Sequence, residues 1–396
     1  MEDVYLDIPK LEISSRVERL QSRLLKSNLD GALLLSTIEM YYYSGIGIPG
    51  AVYVPAQGDP IRLVERNLEL VRAHSALSDI RPMGRLSKIF ETFGIAKASH
   101  IAFEGDIVPY SYVTFLQSKA EGIEFVDASQ IFRETRSKKS DFEVGMIEEA
   151  AEQIDRSLTY CTEIATPEMT EIELSTRLDG WLIDHGHAGS ITTRGFNSSM
   201  LIYSYVVSSG GSTLNTLFQP ISGQGLSLKY PLGPTRRKLG QNRPFLVDSC
   251  GNYHGYISDT TRTLVCGRFD DRAHERLLAL QEIKNFITKS MKPGCNLGSL
   301  YSEVIELSKE LGINDNFMGP EEDKVAFIGH GVGLELDELP VFYAKGPSME
   351  EGHVLASEPK LILPGEEVLG IEDTYAVTST GCKILSKSDN WFQISR

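Results

Sequence analysis

The spacing of apolar residues divides the first part of the chain into alternating helices and strands. Between Leu11 and Asn28 apolar residues recur every three or four positions with Arg and Glu between them, which predicts an amphipathic helix. Short apolar runs predict buried strands at 32–35, 51–54 and 60–64. The alternation continues to about Phe132, so the pattern predicts an N-terminal α/β domain.

A polar stretch beginning at Arg136 separates this domain from the rest of the chain. We therefore predict two domains, 1–135 and 136–396. In the second domain, helical patterns cover 142–162, 170–185, 270–291 and 298–311. Strands are predicted at 245–247, 261–265, 354–355 and 375–377.

Composition narrows the classes of function. The 396 residues carry 39 Lys+Arg against 54 Asp+Glu, a formal charge of −15, which argues against binding to nucleic acid or to an anionic membrane. Five cysteines without a CxxC pair indicate reduced thiols, and the acidic N-terminus lacks the features of a signal peptide. We therefore expect a cytoplasmic protein with a small-molecule or peptide substrate.

The segment Gly45–Gly50 matches the dinucleotide fingerprint GxGxxG. Pro49, however, stands where a phosphate-binding helix should begin with free amides. We interpret the segment as a glycine-rich turn between strands, and we predict no nucleotide-binding residues.

Candidate chemistry lies in the last third of the chain. Asp248 closes an apolar run, and Asp259 follows 11 residues later in the sequence Ser-Asp-Thr-Thr-Arg-Thr. The residues 251–255 between them are typical of a turn, so two antiparallel strands could bring both carboxylates together.

Three further polar residues lie beside glycines or short apolar strands. His330 stands in Gly-His-Gly-Val-Gly-Leu-Glu, Glu358 in Ser-Glu-Pro and Glu372 in Gly-Ile-Glu-Asp-Thr.

Four buried acids need a countercharge, and a pair of divalent cations would supply it. Mn, Co or Fe suits this oxygen-rich donor set, which also permits Zn. Two such ions about 3.5 to 4 Å apart support amide hydrolysis. Taken singly, each residue also has a structural interpretation.

The ordered set of these motifs resembles the M24 metallopeptidases, which include aminopeptidase P, prolidase and methionine aminopeptidase. Residues 16–64 resemble the creatinase-type N-terminal domain of the Xaa-Pro enzymes. The resemblance implies an α/β (α+β) fold in which this N-terminal domain precedes a "pita-bread" catalytic domain. That domain consists of two α/β halves with the site between them. It also implies a homodimer in which the N-terminal domain caps the partner's active site.

The resemblance also implies roles for individual residues. Two divalent ions would be held by Asp248, Asp259, His330, Glu358 and Glu372. Asp259 and Glu372 would bridge the ions, and Glu358 would also carry a proton.

Four positions depart from the family pattern. Asp337 replaces a histidine that steadies the tetrahedral intermediate, and Tyr230 falls near the position of a substrate-binding histidine. Lys360 stands where glycine usually follows Glu-Pro, and Gly370 stands where arginine usually precedes Ile-Glu-Asp. A negative Asp337 would repel a developing oxyanion, which a donor in that place normally stabilises. We therefore predict weak activity on ordinary neutral Xaa-Pro substrates and treat Asp337 and Tyr230 as candidate catalytic residues.

The remaining histidines have mostly structural interpretations. His353 is expected to face solvent, and His254 is a turn residue that could substitute as a proton donor. The leading hypothesis is a dinuclear metal-dependent hydrolase acting on a short peptide or related small amide. One alternative is creatinase-like or ectoine-hydrolase-like cleavage of a non-peptide C–N bond. The other is a catalytically impaired pseudo-peptidase that acts as a binding protein.

Overall fold

The computed structural model describes residues 5–195, 203–210, 214–216 and 219–395. The chain divides into two compact units, Met1–Arg136 and Ser137–Arg396. Within the described residues, no helix combines the length and apolar character needed to cross a membrane.

The first unit contains a six-stranded mixed sheet with the order β4-β3-β2-β1-β5-β6. Strand β1 pairs antiparallel with β2 and parallel with β5. In chain order, the described elements are α1 Lys10–Lys26, β1 Gly31–Leu34, α2 Thr37–Ser44, β2 Gly50–Pro55, β3 Ile61–Val64, α3 Leu68–His74, β4 Asp79–Pro82, α4 Ile89–Phe93, β5 His100–Phe103, α5 Tyr110–Gln117, β6 Glu124–Asp127 and α6 Ser129–Ser137.

The predicted first helix and the three predicted strands after it are confirmed. The interpretation of the glycine-rich segment as a turn between two strands is wrong. Helix α1 buries Ile13, Val17 and Leu20 on one face, as the spacing requires. Residues 41–44 complete helix α2, and Gly45, with a φ of 88°, ends that helix in the left-handed conformation. The glycine-rich segment therefore connects a helix to strand β2 and not two strands.

The second unit is built on a four-stranded sheet, β19-β11-β10-β7, and a five-stranded sheet, β13-β12-β14-β17-β18. Two-stranded ribbons β15-β16 and β8-β9 accompany them. In chain order, the described elements are α7 Asp141–Ile164, α8 Glu171–Asp184, β7 Ser204–Ser208, β8 Leu214–Thr216, β9 Gln219–Ser222, β10 Pro244–Tyr253, β11 Tyr256–Cys266, α9 Asp271–Ser290, α10 Leu297–Glu310, β12 Phe327–Gly331, β13 Glu338–Tyr343, β14 Val354–Ser357, β15 Lys360–Leu363, β16 Glu367–Gly370, β17 Asp373–Val377, β18 Cys382–Ile384 and β19 Trp391–Ile394.

Each of the two larger sheets packs against its own pair of helices. Ile154 of α7 and Leu178 of α8 share an apolar core with Phe245 and Val247 of β10. A second core joins residues of α9 and α10, such as Leu280, to the five-stranded sheet. The helices start where the sequence predicts, because capping boxes fix the N-termini of α7 and α8. The unit therefore consists of two similar α/β halves.

Two lysines that follow Arg136, Lys138 and Lys139, form ion pairs. Lys139 Nζ lies 2.9 Å from Glu338 Oε2, and both side chains are buried. Lys138 pairs with Glu350 near the surface. Both ion pairs lie within the second unit and join the segment that follows the domain boundary to later parts of that unit.

The prediction that His353 faces solvent is wrong, because the residue is only 6% exposed. Its Nδ1 accepts the backbone N–H of Glu350 at 3.2 Å, and Nδ1 of the buried His187 accepts that of Gly189 at 3.0 Å. Burial is the largest cause that lowers the pKa of each histidine to about 4. Both rings are therefore held in the neutral form.

We expect these two histidines to make the second unit sensitive to acid. The unfolded chain binds their protons at a pKa of about 6.5, so between pH 6.5 and 4 the unfolded state binds more protons than the folded state. The free energy of unfolding should therefore decrease as pH falls through this window. Urea denaturation at pH 7 and pH 5 would measure the decrease. The variant with His187→Gln and His353→Gln should show a smaller decrease, and an equal decrease would contradict the assignment.

Candidate metal centre

The β10–β11 hairpin brings two predicted ligands to one face of the four-stranded sheet. Asp248 pairs with Thr261, and Cys250 pairs with Asp259, so the four side chains lie on the same face. His254, with a φ of 49°, and the following glycine form the turn. The prediction that antiparallel strands bring Asp248 and Asp259 together is confirmed.

Alternation along β10 explains why the acids point away from the helices. Phe245 and Val247 pack in the core formed with α7 and α8. Leu246 faces the other side, where it packs against Ile362 and Val368 of the β15-β16 ribbon. Asp248 is two residues beyond Leu246 and therefore shares the ribbon side of the sheet.

The five-stranded sheet contributes the remaining predicted ligands. His330 lies on β12, Glu358 follows directly after β14, and Glu372 precedes β17. His330 Nε2 is 3.8 Å from Asp259 Oδ2 and 3.8 Å from Glu358 Oε1. Asp259, His330 and Glu372 each offer one ligand atom, and these three atoms lie within 4.8 Å of one another.

Hydrogen bonds between two sequence motifs hold the sheets together at this point. Thr374 Oγ1 accepts the backbone N–H of Asp259 at 3.1 Å and donates to its carbonyl oxygen at 2.9 Å. Thr261 Oγ1 donates to Glu372 Oε2 at 2.6 Å. Each threonine belongs to one motif and bonds a ligand of the other, so the two motifs position each other's carboxylates.

Arg262 adds a charged anchor behind the ligands. Its fully buried guanidinium donates to the carbonyl oxygen of Glu372 at 2.5 Å and to Asp373 Oδ1 at 2.7 Å. Asp373 also pairs with Lys284 of α9. Burial by itself would raise the pKa of Asp373, but Arg262 and Lys284 lower the pKa below its usual value. The backbone of Glu372 is therefore fixed by a permanently ionised pair.

Lys360 places an ammonium group among the carboxylates. Its Nζ donates to Asp248 Oδ2 at 3.0 Å, to Glu358 Oε2 at 2.7 Å and to Glu372 Oε2 at 3.0 Å. The side chain is 2% exposed, so these bonds form in a nearly dry environment.

The charges of the cluster act strongly on one another. Burial is the largest cause that raises the pKa of Asp259 well above its usual value, and the neighbouring Glu372 and Asp248 raise it further. Burial also raises the pKa of Glu372 to about 7, although Lys360 opposes the shift. For Lys360, burial alone would lower the pKa, but the surrounding carboxylates raise it well above the usual value. Lys360 is therefore a fixed positive charge.

The residues present fit a divalent cation. Glu372 Oε1 is buried and has no hydrogen-bond partner, while its other oxygen is fully used by Thr261 and Lys360. A buried carboxylate oxygen without a donor is costly, and a cation would satisfy it. Two carboxylates and one imidazole form a donor set that such ions accept. Asp248 and His330 are the more exposed members, with side chains 22% and 16% exposed, so the cluster opens to solvent on their side.

The structure also locates the two candidate catalytic residues. The Tyr230 hydroxyl is 3.3 Å from that of Tyr205, and Tyr205 pairs with Asp248 across β7 and β10. Tyr230 is therefore linked through Tyr205 to the strand that carries Asp248. Asp337 Oδ1 accepts the backbone N–H of Arg194 at 2.8 Å, so this carboxylate fixes a neighbouring segment. Their roles in catalysis stay predictions.

Sequence reasoning missed the role of Lys360. The lysine was noted only as a departure after Glu-Pro, although its position two residues beyond Glu358 was a signal that it lies near the cluster. The supporting roles of Thr374 and Arg262 were also missed, because their partners are more than 100 residues away in sequence.

A creatinase-type domain followed by a pita-bread domain with a carboxylate-rich centre defines a class of metal-dependent hydrolases. The family model described as metallopeptidase family M24 matches residues 145–379, and the creatinase/prolidase N-terminal domain model matches residues 16–138. The chain belongs to metallopeptidase family M24, a family of hydrolytic enzymes.

Similar proteins extend over nearly the whole chain. A Xaa-Pro dipeptidase of Pyrococcus furiosus is 25% identical over 382 residues, which cover 95% of this chain and 99% of the relative. A solved Xaa-Pro dipeptidase of Bacillus anthracis is 23% identical, with a TM-score of 0.79 over 96% of this chain and 99% of that one. The prolidase of Pyrococcus horikoshii OT3 is 21% identical, with a TM-score of 0.77 over 95% and 99% of the two chains. These structures share the fold.

We expect Arg262 to be essential for the stability of the catalytic unit. In Arg262→Met, the buried Asp373 loses one of its two cationic partners and the Glu372 carbonyl loses a donor, which should cost about 3 to 5 kcal/mol in the free energy of unfolding. Urea denaturation of the metal-free protein would measure the loss. The exposed Arg272→Met provides the matched control, with an expected change within about 0.5 kcal/mol. Equal stabilities of the two variants would contradict the role of Arg262.

Proposed function

We propose that the protein is a metal-dependent hydrolase that cleaves the amide bond of a Xaa-Pro dipeptide or a closely related small amide. The observation that carries this proposal is the cluster of Asp259, His330 and Glu372, with one buried Glu372 oxygen left without a partner. Membership of family M24 supports a divalent cation as the missing partner. The native metal is proposed to be Mn, Co, Fe or Zn.

The residues of the cluster have distinct proposed roles. A bound divalent ion would supply Lewis acidity, which activates water and polarises an amide carbonyl. Asp259, His330 and Glu372 would hold it, while Thr261 and Thr374 keep the carboxylates in position.

Glu358 is proposed to accept a proton from the attacking water and to pass it to the leaving nitrogen. Its Oε2 accepts from Lys360 at 2.7 Å, and its Oε1 lies on the His330 side of the cluster. A charged donor on one oxygen leaves the other free to exchange a proton within the site. Asp248 is the most exposed ligand candidate and would lie towards the substrate.

Support for a small amide substrate comes from relatives and from the surroundings of Asp248. The relatives reported above include proteins named Xaa-Pro dipeptidase. Tyr205 is the strand partner of Asp248, and its hydroxyl is hydrogen-bonded to that of Tyr230. We propose that Tyr230 orients a short substrate by hydrogen bonds. A homodimer and a cytoplasmic location also stay predictions, and light scattering would test the first.

We expect hydrolysis to require metal bound through Asp259. The wild-type protein, loaded with Mn²⁺ or Co²⁺, should cleave Ala-Pro or a related dipeptide, and chelation should abolish the activity. Asp259→Ala removes one of three clustered ligands and should lower both metal content and kcat/KM by at least about 100-fold. Metal analysis and a coupled proline assay would measure the effects. The exposed Asp271→Ala is the matched control. A wild-type protein that takes up no metal at saturating supply would refute the proposal.

Asp337 is expected to tune the choice of substrate. An ionised carboxylate near the reacting carbonyl disfavours an oxyanion and favours an amine or other positive group on the substrate. Asp337→His should therefore raise kcat/KM for neutral Xaa-Pro dipeptides, by up to about 100-fold, the usual value of an oxyanion donor.

Asp337→Asn is the control for that variant, because it keeps an oxygen that accepts the Arg194 N–H while removing the charge. Equal kcat/KM values for wild type and Asp337→His would show that residue 337 does not act on the reaction. An acylated amine and a guanidino compound belong in the same assay, since their cleavage in preference to dipeptides would favour the creatinase-like alternative. Metal binding without any turnover would favour the pseudo-peptidase alternative.

A further inference from the structure

We propose that the Lys360 ammonium takes the place of a second metal ion, so that the active centre binds one divalent cation per chain. This inference rests on the proposed function only in requiring that the site binds a divalent ion at all. It differs from the two-ion centre that the sequence predicted. In that prediction, two divalent cations alone neutralised the four carboxylates.

The three hydrogen bonds of Lys360 saturate the ammonium group. A lysine ammonium has three donors, and three carboxylate oxygens accept them at 2.7 to 3.0 Å. The oxygens belong to Asp248, Glu358 and Glu372. A metal ligated by the same oxygens would need to lie about 2.0 to 2.2 Å from each of them, which is the space that Nζ fills. Lys360 and an ion in that place therefore exclude each other sterically and by charge.

The second half of the cluster is arranged differently. Asp259, His330 and Glu372 form the group of ligand atoms that lie within 4.8 Å of one another. None of the described hydrogen bonds of Lys360 goes to Asp259 or His330. Glu372 belongs to both sets, because its Oε2 accepts from Lys360 and its Oε1 has no partner. This carboxylate would thus bridge an ammonium and a metal ion.

The charge of the centre agrees with a single ion. When all four carboxylates are ionised, the centre carries four negative charges, and one ammonium together with one divalent cation neutralises three of them. A second divalent cation would make the buried cluster net positive while Lys360 remains in place. The lysine is therefore a covalently attached countercharge, held by three carboxylate oxygens, that needs no supply of metal.

Two departures from the family pattern, Lys360 and Gly370, have a common structural explanation. Lys360 and Gly370 are direct partners in the β15-β16 ribbon. A Cβ on Gly370 would lie 2.9 Å from Lys360 Cγ, closer than side-chain carbons approach one another. The glycine thus provides the space in which the lysine stem lies before Nζ reaches the carboxylates.

Metal counting on the whole chain tests the inference without recourse to activity. After saturation with Mn²⁺ and removal of free ions, wild type should hold one ion per chain and show the electron paramagnetic resonance pattern of isolated Mn²⁺. Lys360→Gly should hold two ions and show the signal of an exchange-coupled pair. Lys360→Ser should also hold two ions, and it serves as the test variant if Lys360→Gly folds poorly. Lys284→Ser removes another partly buried lysine, whose partner Asp373 keeps Arg262, and should hold one ion.

The possible results separate this inference from the proposed function. Two ions in wild type, or one ion in a folded Lys360→Gly, would overturn the inference and leave the proposed function intact. An exchange-coupled signal in wild type would overturn it without any variant. No metal in wild type or in any Lys360 variant would refute the proposed function itself. Metal bound only after Lys360 is removed would overturn the single-ion centre, because the lysine would then exclude both ions.

Discussion

The crowding of four carboxylates, three of them buried, in one small volume is the constraint on which the second unit depends. Each negative charge raises the free energy of the others, and burial removes the water that would otherwise screen them. The chain meets this constraint with the Lys360 ammonium, which donates to three of the carboxylates, and with the Thr261 hydroxyl, which donates to Glu372. Glu372 Oε1 is fully buried and has no donor. The centre therefore retains a carboxylate oxygen that is available to bind a cation, as a cation-dependent enzyme requires.

The scaffold around the carboxylates explains why the motifs of this chain are longer than the ligands alone would need. In Ser258-Asp259-Thr260-Thr261-Arg262, only Asp259 is a candidate ligand. Ser258, Thr261 and Arg262 form hydrogen bonds to the second motif, 371–374, and the Thr260 hydroxyl is hydrogen-bonded to Ser386. These bonds cross between the two larger sheets of the unit. The residues that align the two halves are therefore the immediate neighbours of the residues that would bind the ion. A disturbance of either half is transmitted directly to the ligands.

Much of the fold and part of the centre could be predicted from the sequence, and local physics explains which parts. Helix α7 could be predicted almost to its ends, because Ser140 and Glu143 form a capping box before an apolar periodicity. The approach of Asp248 to Asp259 followed from alternation and a turn between neighbouring strands. The position of the Lys360 ammonium could not be predicted from the neighbouring sequence. It depends on three acids, and Asp248, the most distant of them, is 112 residues away in the chain. His353 was misjudged for a similar reason, since its burial depends on packing between distant segments.

The close fit between Lys360 and Gly370 limits the substitutions that the β15-β16 ribbon tolerates. With lysine at 360, the first side-chain carbon of any residue other than glycine at 370 would lie 2.9 Å from Lys360 Cγ. Such a residue would force the lysine stem or the ribbon to shift, and a shift of the stem would move Nζ relative to the three carboxylates that accept its hydrogen bonds. The charge balance of the centre therefore depends on a position that has no side chain.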